Sequence, residues 1–133
     1  MITIAIIGIL ASMAIVSYKD YMMRSKISSG LALTSAAKLA VSEYYNSEGG
    51  TLPETNAAAG LPMPTSITNK YTTSVSIGVA PSSGTITITF AQIGDLAAGN
   101  TLLLVPTPTG ASMKWECSSA TLSNTLKPTA CRD

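Results

Sequence analysis

A chain of 133 residues accommodates one domain of ordinary size. Its 8 basic and 7 acidic side chains leave a net charge of +1, and charged residues are only 11% of the total, against ~25% in ordinary soluble domains. Such a composition offers no basic footprint for nucleic acid; there is no histidine to act as a general base, and two cysteines cannot complete a four-ligand zinc site.

The first element is apolar. Met1 to Tyr18 carries no charge, and Lys19 is the first charged residue. As a helix it would be about 27 Å long, just short of a bilayer's hydrocarbon core. A transmembrane helix, a cleaved secretory signal and a buried core helix all fit that run. Small residues at Ser12-Met13-Ala14 would suit a signal peptidase, but the basic n-region of such signals is missing. A domain this small also has little core in which to hide an apolar helix.

The next stretch decides among them. Lys19 to Asn46 holds no proline and only Gly30 as a glycine, and Ser35 to Val41 is strongly helix-forming. Leu33, Ala36, Ala37, Ala40 and Tyr44 recur at helical spacing and predict an apolar stripe packed on a sheet. One continuous helix of more than 40 residues follows, and signal cleavage would cut it in two. Lys19, Arg24 and Lys26 after the apolar run would by themselves place the following domain in the cytoplasm, whereas the cysteines favour an oxidising compartment.

The remainder reads as β structure after a long Gly-, Pro-, Ser- and Thr-rich loop over 46–69. Over 71–79, Val75, Ile77 and Val79 alternate with Ser74, Ser76 and Gly78; over 84–91, Ile86, Ile88 and Phe90 alternate with Thr85, Thr87 and Thr89. Residues 80–84 form a hairpin loop between them. Leu102 to Val105 is a continuous apolar run expected to be buried on both faces, and Met113, Trp115 and Cys117 mark a fourth strand. The amphipathic half of the helix is the only cover for such a sheet, which makes the fold class α+β. Abundant Ser and Thr suit an outer strand face that could accept O-linked sugars, although threonine is simply a good strand residue.

Cys117 and Cys131 enclose 13 residues. An even cysteine count beside an apolar N-terminal segment reads as a structural disulfide, contributing roughly 3 kcal/mol by loop-closure entropy. A redox-active pair would more commonly be spaced CxxC.

In this order the elements resemble the type IV pilins, specifically the type IVa class. The carriers are Ala5-Ile6-Ile7-Gly8-Ile9-Leu10-Ala11, then Tyr18-Lys19-Asp20-Tyr21, and Gly50-Thr51-Leu52-Pro53 with Asn56 and Ala59-Gly60-Leu61. Gly99 to Pro106 is similar to that family's third strand, and Lys114-Trp115-Glu116-Cys117 with Pro128, Cys131 and Arg132 to its C-terminal loop. Two features depart from the pattern: Val16 stands near the family's helix-kinking proline, and Lys127 separates Leu126 from Pro128. Met1 looks like the residue just after the family's assembly glutamate, so neither that group nor the methylated terminus falls in this sequence.

The resemblance implies a pilin fold: a long N-terminal helix packed on a four-stranded antiparallel sheet with a C-terminal disulfide-bounded loop. Residues 1–24 would be the membrane anchor and filament core, and 25–133 the globular head. Ile2, Ile4, Ile6, Ile7, Ile9, Leu10, Met13 and Ile15 would pack the filament core, while Gly8, Ser12 and Val16 mark a segment where the helix would melt on assembly. The implied partners are identical subunits in a helical filament, the inner membrane with the head in the periplasm before assembly, and a pilus assembly machinery. Adhesion, twitching motility and DNA uptake would follow for an extracellular pilus. No cofactor, metal or specific nucleic acid is implied. A minor pilin or a type II secretion pseudopilin is the nearest alternative, and the carboxylates Asp20, Glu43, Glu48, Glu54, Asp95, Glu116 and Asp133 show no calcium-like spacing. A membrane-anchored periplasmic enzyme or binding module is the more distant one, left with only Ser–Lys or carboxylate-pair chemistry.

Overall fold

The computed structural model describes residues 1–110 and 112–132; Asp133, counted above among the scattered carboxylates, lies outside them. Helix α1 (Ile2–Ala32) runs into α2 (Thr34–Ser47) through Leu33. Leu33 keeps right-handed dihedrals (φ −67°, ψ −19°), and its N–H bonds to Gly30 O at 3.1 Å, a tightened turn within one rod. Hydroxyls cluster there. Ser29, Thr34 and Ser35 donate to the carbonyls of Lys26, Leu31 and Ala32 at 2.6, 2.7 and 3.0 Å, competing with the main-chain ladder. The rod spans 46 residues, about 69 Å at ~1.5 Å per residue.

Four antiparallel strands follow: β1 (Thr72–Gly78), β2 (Thr85–Phe90), β3 (Thr101–Thr109) and β4 (Ser112–Ser118), paired in sequence order. The alternation in β1 and β2 has its expected outcome, with Val75, Ile77, Ile86, Ile88 and Phe90 all in the core. Val79 does not join that face; it lies beyond β1 and is exposed. Leu102 to Val105 also behaves differently from a doubly buried strand. Leu102 and Leu104 are buried, while Leu103 and Val105 are half-buried on the outer face, because helices cover only one side of this sheet.

The helix face that meets the sheet overlaps the stripe read from apolar spacing only in part, at Ala37 with Leu33 packed beside it. Ile27, Gly30, Thr34, Ala37 and Val41 are buried, whereas Ala36 is exposed and Leu33, Ala40 and Tyr44 are half-buried. Steps of three, four, three and four residues keep this seam on one side. Its middle is small for a steric reason: a Cβ on Gly30 would lie 2.7 Å from Phe90 Cε1 and 2.7 Å from Thr72 Oγ1. Thr34 is polar but carries its own solution, since its hydroxyl donates to Leu31 O. Leu122 and Cys131 complete the core from the C-terminal loop.

Candidate assembly surface

All residues from Met1 to Lys19 are exposed, Asp20 is the first with partial shelter, and Ile27 is the first fully buried. Ile2, Ile4, Ile6, Ile7, Ile9, Leu10, Met13 and Ile15 stand 52–79% exposed. The sector they leave holds Ala5, Gly8, Ser12 and Val16, so no side of the helix carries a charge. A helix apolar all round is stable only inside lipid or protein, so this surface demands a partner.

Gly8, Ser12 and Val16 are helical here. Ser12 Oγ donates to Ile9 O at 2.7 Å, and nothing lies within 4 Å of a Cβ placed on Gly8. The segment is therefore thinly packed and internally satisfied in the isolated subunit. Below it, Tyr18, Met22 and Met23 of α1 and Gly94 and Asp95 of the β2–β3 connection line a groove where the rod enters the head.

Cys117 and Cys131 are bonded, their Cα atoms 4.8 Å apart. The intervening chain is also pinned to the start of β3. Ser119 Oγ donates to Thr101 O at 2.5 Å, and the Thr101 N–H donates to Thr121 Oγ1 at 2.8 Å. Arg132 Nε and Nη2 donate to the carbonyls of Lys127 and Thr125 at 3.2 and 3.3 Å. Ser119 and Thr121 carried no signal in the sequence beyond belonging to a Ser/Thr-rich run. Among the described residues no three Cys, Asp or Glu side chains come close enough to hold a metal ion.

The loop between α2 and β1 covers the other edge. Asn56 is buried; its side-chain oxygen accepts the Ile77 N–H at 2.6 Å, and its Nδ2 donates to Val75 O and Pro62 O, both at 3.0 Å. One amide thus stands where a neighbouring strand would.

Comparison with known proteins bears directly on this exposed rod and capped sheet. A profile of the family described as pilin, a bacterial filament, matches residues 23–132. The chain is 43% identical to the fimbrial protein EcpC of Eikenella corrodens over 135 aligned residues, covering all of this chain and 86% of that one. It is 34% identical to the type IV major pilin protein PilE of Neisseria gonorrhoeae, with 100% and 78% covered. With the fimbrial protein of Neisseria meningitidis serogroup A it shares 37% identity, over 88% of this chain and 67% of the relative. A rod whose apolar half no part of its own head covers is what a filament subunit needs, and the chain belongs to the type IV pilins, structural subunits of pilus filaments.

Proposed function

We infer that the exposed half of α1 serves in turn as membrane anchor and as filament core, within an extracellular pilus used for adhesion and twitching motility. The observation that carries this reading is the exposure of the eight aliphatic side chains from Ile2 to Ile15. Burying them against neighbouring copies contributes on the order of 10 kcal/mol per subunit before ordering costs. Residues 1–24 act as the packing unit and 25–133 as the head. Before assembly the rod lies in the inner membrane with the head in the periplasm, where Cys117 and Cys131 can oxidise. The assembly machinery then transfers the rod from lipid into the helix bundle. The disulfide-bounded loop faces outward.

Assembly also gives Gly8, Ser12 and Val16 a role. Lipid offers no partner for a freed peptide group, so the rod stays helical there. Inside a bundle, neighbouring chains supply partners, and this thinly packed segment extends from ~1.5 towards ~3.3 Å per residue. The filament gains length under load.

Electron microscopy of cells with and without the gene tests the reading. Filaments present only with the gene support it; identical filaments in both strains contradict it.

A further inference from the structure

Charge is unevenly placed along the rod and the loop that follows it. From Lys19 to Lys38 stand four cations, Lys19, Arg24, Lys26 and Lys38, against the single carboxylate Asp20. From Leu39 to Asn69 stand three carboxylates, Glu43, Glu48 and Glu54, and no cation. Tertiary structure concentrates the basic end. Lys26 Nζ lies 5.5 Å from the Tyr71 ring centroid and Lys70 Nζ 5.8 Å from the same ring, so ammonium groups from two elements converge on one side chain. Lys19 joins Lys26 along the groove beneath the sheet, with Asp95 as the carboxylate lining it. Among the described residues none of these lysines has a carboxylate oxygen within 4.0 Å, and the ion pair there is Lys114–Glu116 at 3.4 Å.

The other end holds charge of the disfavoured sign. A helix terminates in partial negative charge on its last carbonyls, which attracts cations and repels carboxylates. The last turn of α2 has no basic side chain; the exposed Glu48 caps that end, and Glu43 stands exposed about one turn before it. Within one subunit Glu48 and the carbonyl ends repel each other, and Glu43 adds negative charge beside them. A cation from outside would be attracted by both.

The geometry points to a second copy of this chain as that source: Lys26 and Lys70 of one subunit dock against Glu43 and Glu48 of another. This contact rests on the pilus-subunit reading and extends it from the rod to the heads. It is continuous with the rod's packing surface, because Tyr18 and Lys19 line the groove that holds Lys26. The interval from Lys26 to Glu43 and Glu48 along the rod fixes the axial offset between the paired copies at about 26–33 Å. An anionic membrane surface is the rival partner for the basic end, but it gives the acidic end nothing to do.

A charge exchange in the full-length chain, expressed in cells, separates the two. Lys26→Glu with Lys70→Glu, or Glu43→Lys with Glu48→Lys, is expected to lower sheared filament yield roughly tenfold through like-charge contact. All four changes together are expected to restore it to within about twofold. The disulfide-bonded subunit in the membrane fraction is quantified alongside, and the milder exchange Lys70→Glu with Glu48→Lys repeats the test at two exposed positions. Either reversal assembling like the wild type would overturn the contact. So would a combined variant no better than the lysine reversal, and a parallel fall in membrane-inserted subunit would then assign the lysines to the lipid surface. Failure of the wild type itself to make filaments would instead strike the pilus-subunit reading.

Discussion

Asn56 and Ile77, 21 positions apart, are joined by a 2.6 Å hydrogen bond in which the Ile77 N–H donates to the Asn56 side-chain oxygen. The same amide donates to Val75 O at 3.0 Å, so both main-chain groups that β1 would present at its outer edge here are satisfied by one side chain. The α2–β1 loop is thereby held flat against the head, and β1 is closed to pairing with foreign strands.

Replacing Asn56 with Ala should therefore destabilise the head by about 2–4 kcal/mol, because it orphans a buried N–H and a buried carbonyl. Asn56→Asp should be comparably harmful, since it keeps the acceptor for Ile77 but turns an anion towards two carbonyl oxygens. Thermal unfolding of the full chain in detergent checks this. An Asp variant as stable as the parent would contradict the donor role.

Gly30→Ala sets two effects against each other. Alanine favours the helix by about 1 kcal/mol, while its Cβ would stand 2.7 Å from Phe90 Cε1 and from Thr72 Oγ1. The phenyl ring is rigid and fully buried, so overlap should win and the net loss should be about 1–3 kcal/mol. Trimming the obstacle with Phe90→Leu should make Gly30→Ala less costly than it is in the parent. Equal cost in both backgrounds, read from unfolding midpoints, would show that the close approach is not the cause.

The chain announces its rod and its first two strands plainly. An uncharged run followed by a glycine-poor helical one cannot be much else, and Ile86, Ile88 and Phe90 alternate without exception. The helix seam was harder to read, because Gly30 and Thr34 occupy contact positions that a search for apolar residues passes over. Strand β3 runs on through Pro106 and Pro108, where an apolar scan stops at Val105. Its pairing with β2 ends at Leu104, so beyond that point it has a partner only in β4, and an edge tolerates proline. The surface that needs a partner was legible from hydropathy alone. Asn56, by contrast, belongs to a long polar loop, and only the fold reveals which main-chain groups it meets.

Reducing the Cys117–Cys131 bond should cost roughly 3 kcal/mol by loop-closure entropy and should act locally. Hydrogen exchange should accelerate over 118–132 while α2 and β2 keep their protection. Ser119 and Thr121 hold part of the loop to Thr101 independently of the sulfurs, so the start of β3 should loosen last. Uniform acceleration across the head would show that the bond supports the whole fold.

Gly8, Ser12 and Val16 should lose helical structure on assembly. A filament map should show broken i-to-i−4 hydrogen bonding somewhere between Ala5 and Tyr21. Gly8→Ala, which meets nothing within 4 Å in the subunit, should stabilise the helix by up to about 1 kcal/mol and reduce filament extensibility. An unbroken ladder through this stretch would refute the transition, and Val16 in place of a kinking proline would explain why.

Assembly should turn the apolar half of α1 into filament interior. Electron cryomicroscopy of assembled filaments measures this directly, through the burial of Ile2, Ile4, Ile6, Ile7, Ile9, Leu10, Met13 and Ile15. These side chains are 52–79% exposed in the isolated subunit; in the filament they should fall below about a tenth, as core aliphatic residues do, with the sheets outside. A map in which they still face solvent, the subunits being joined through strand edges instead, would contradict it.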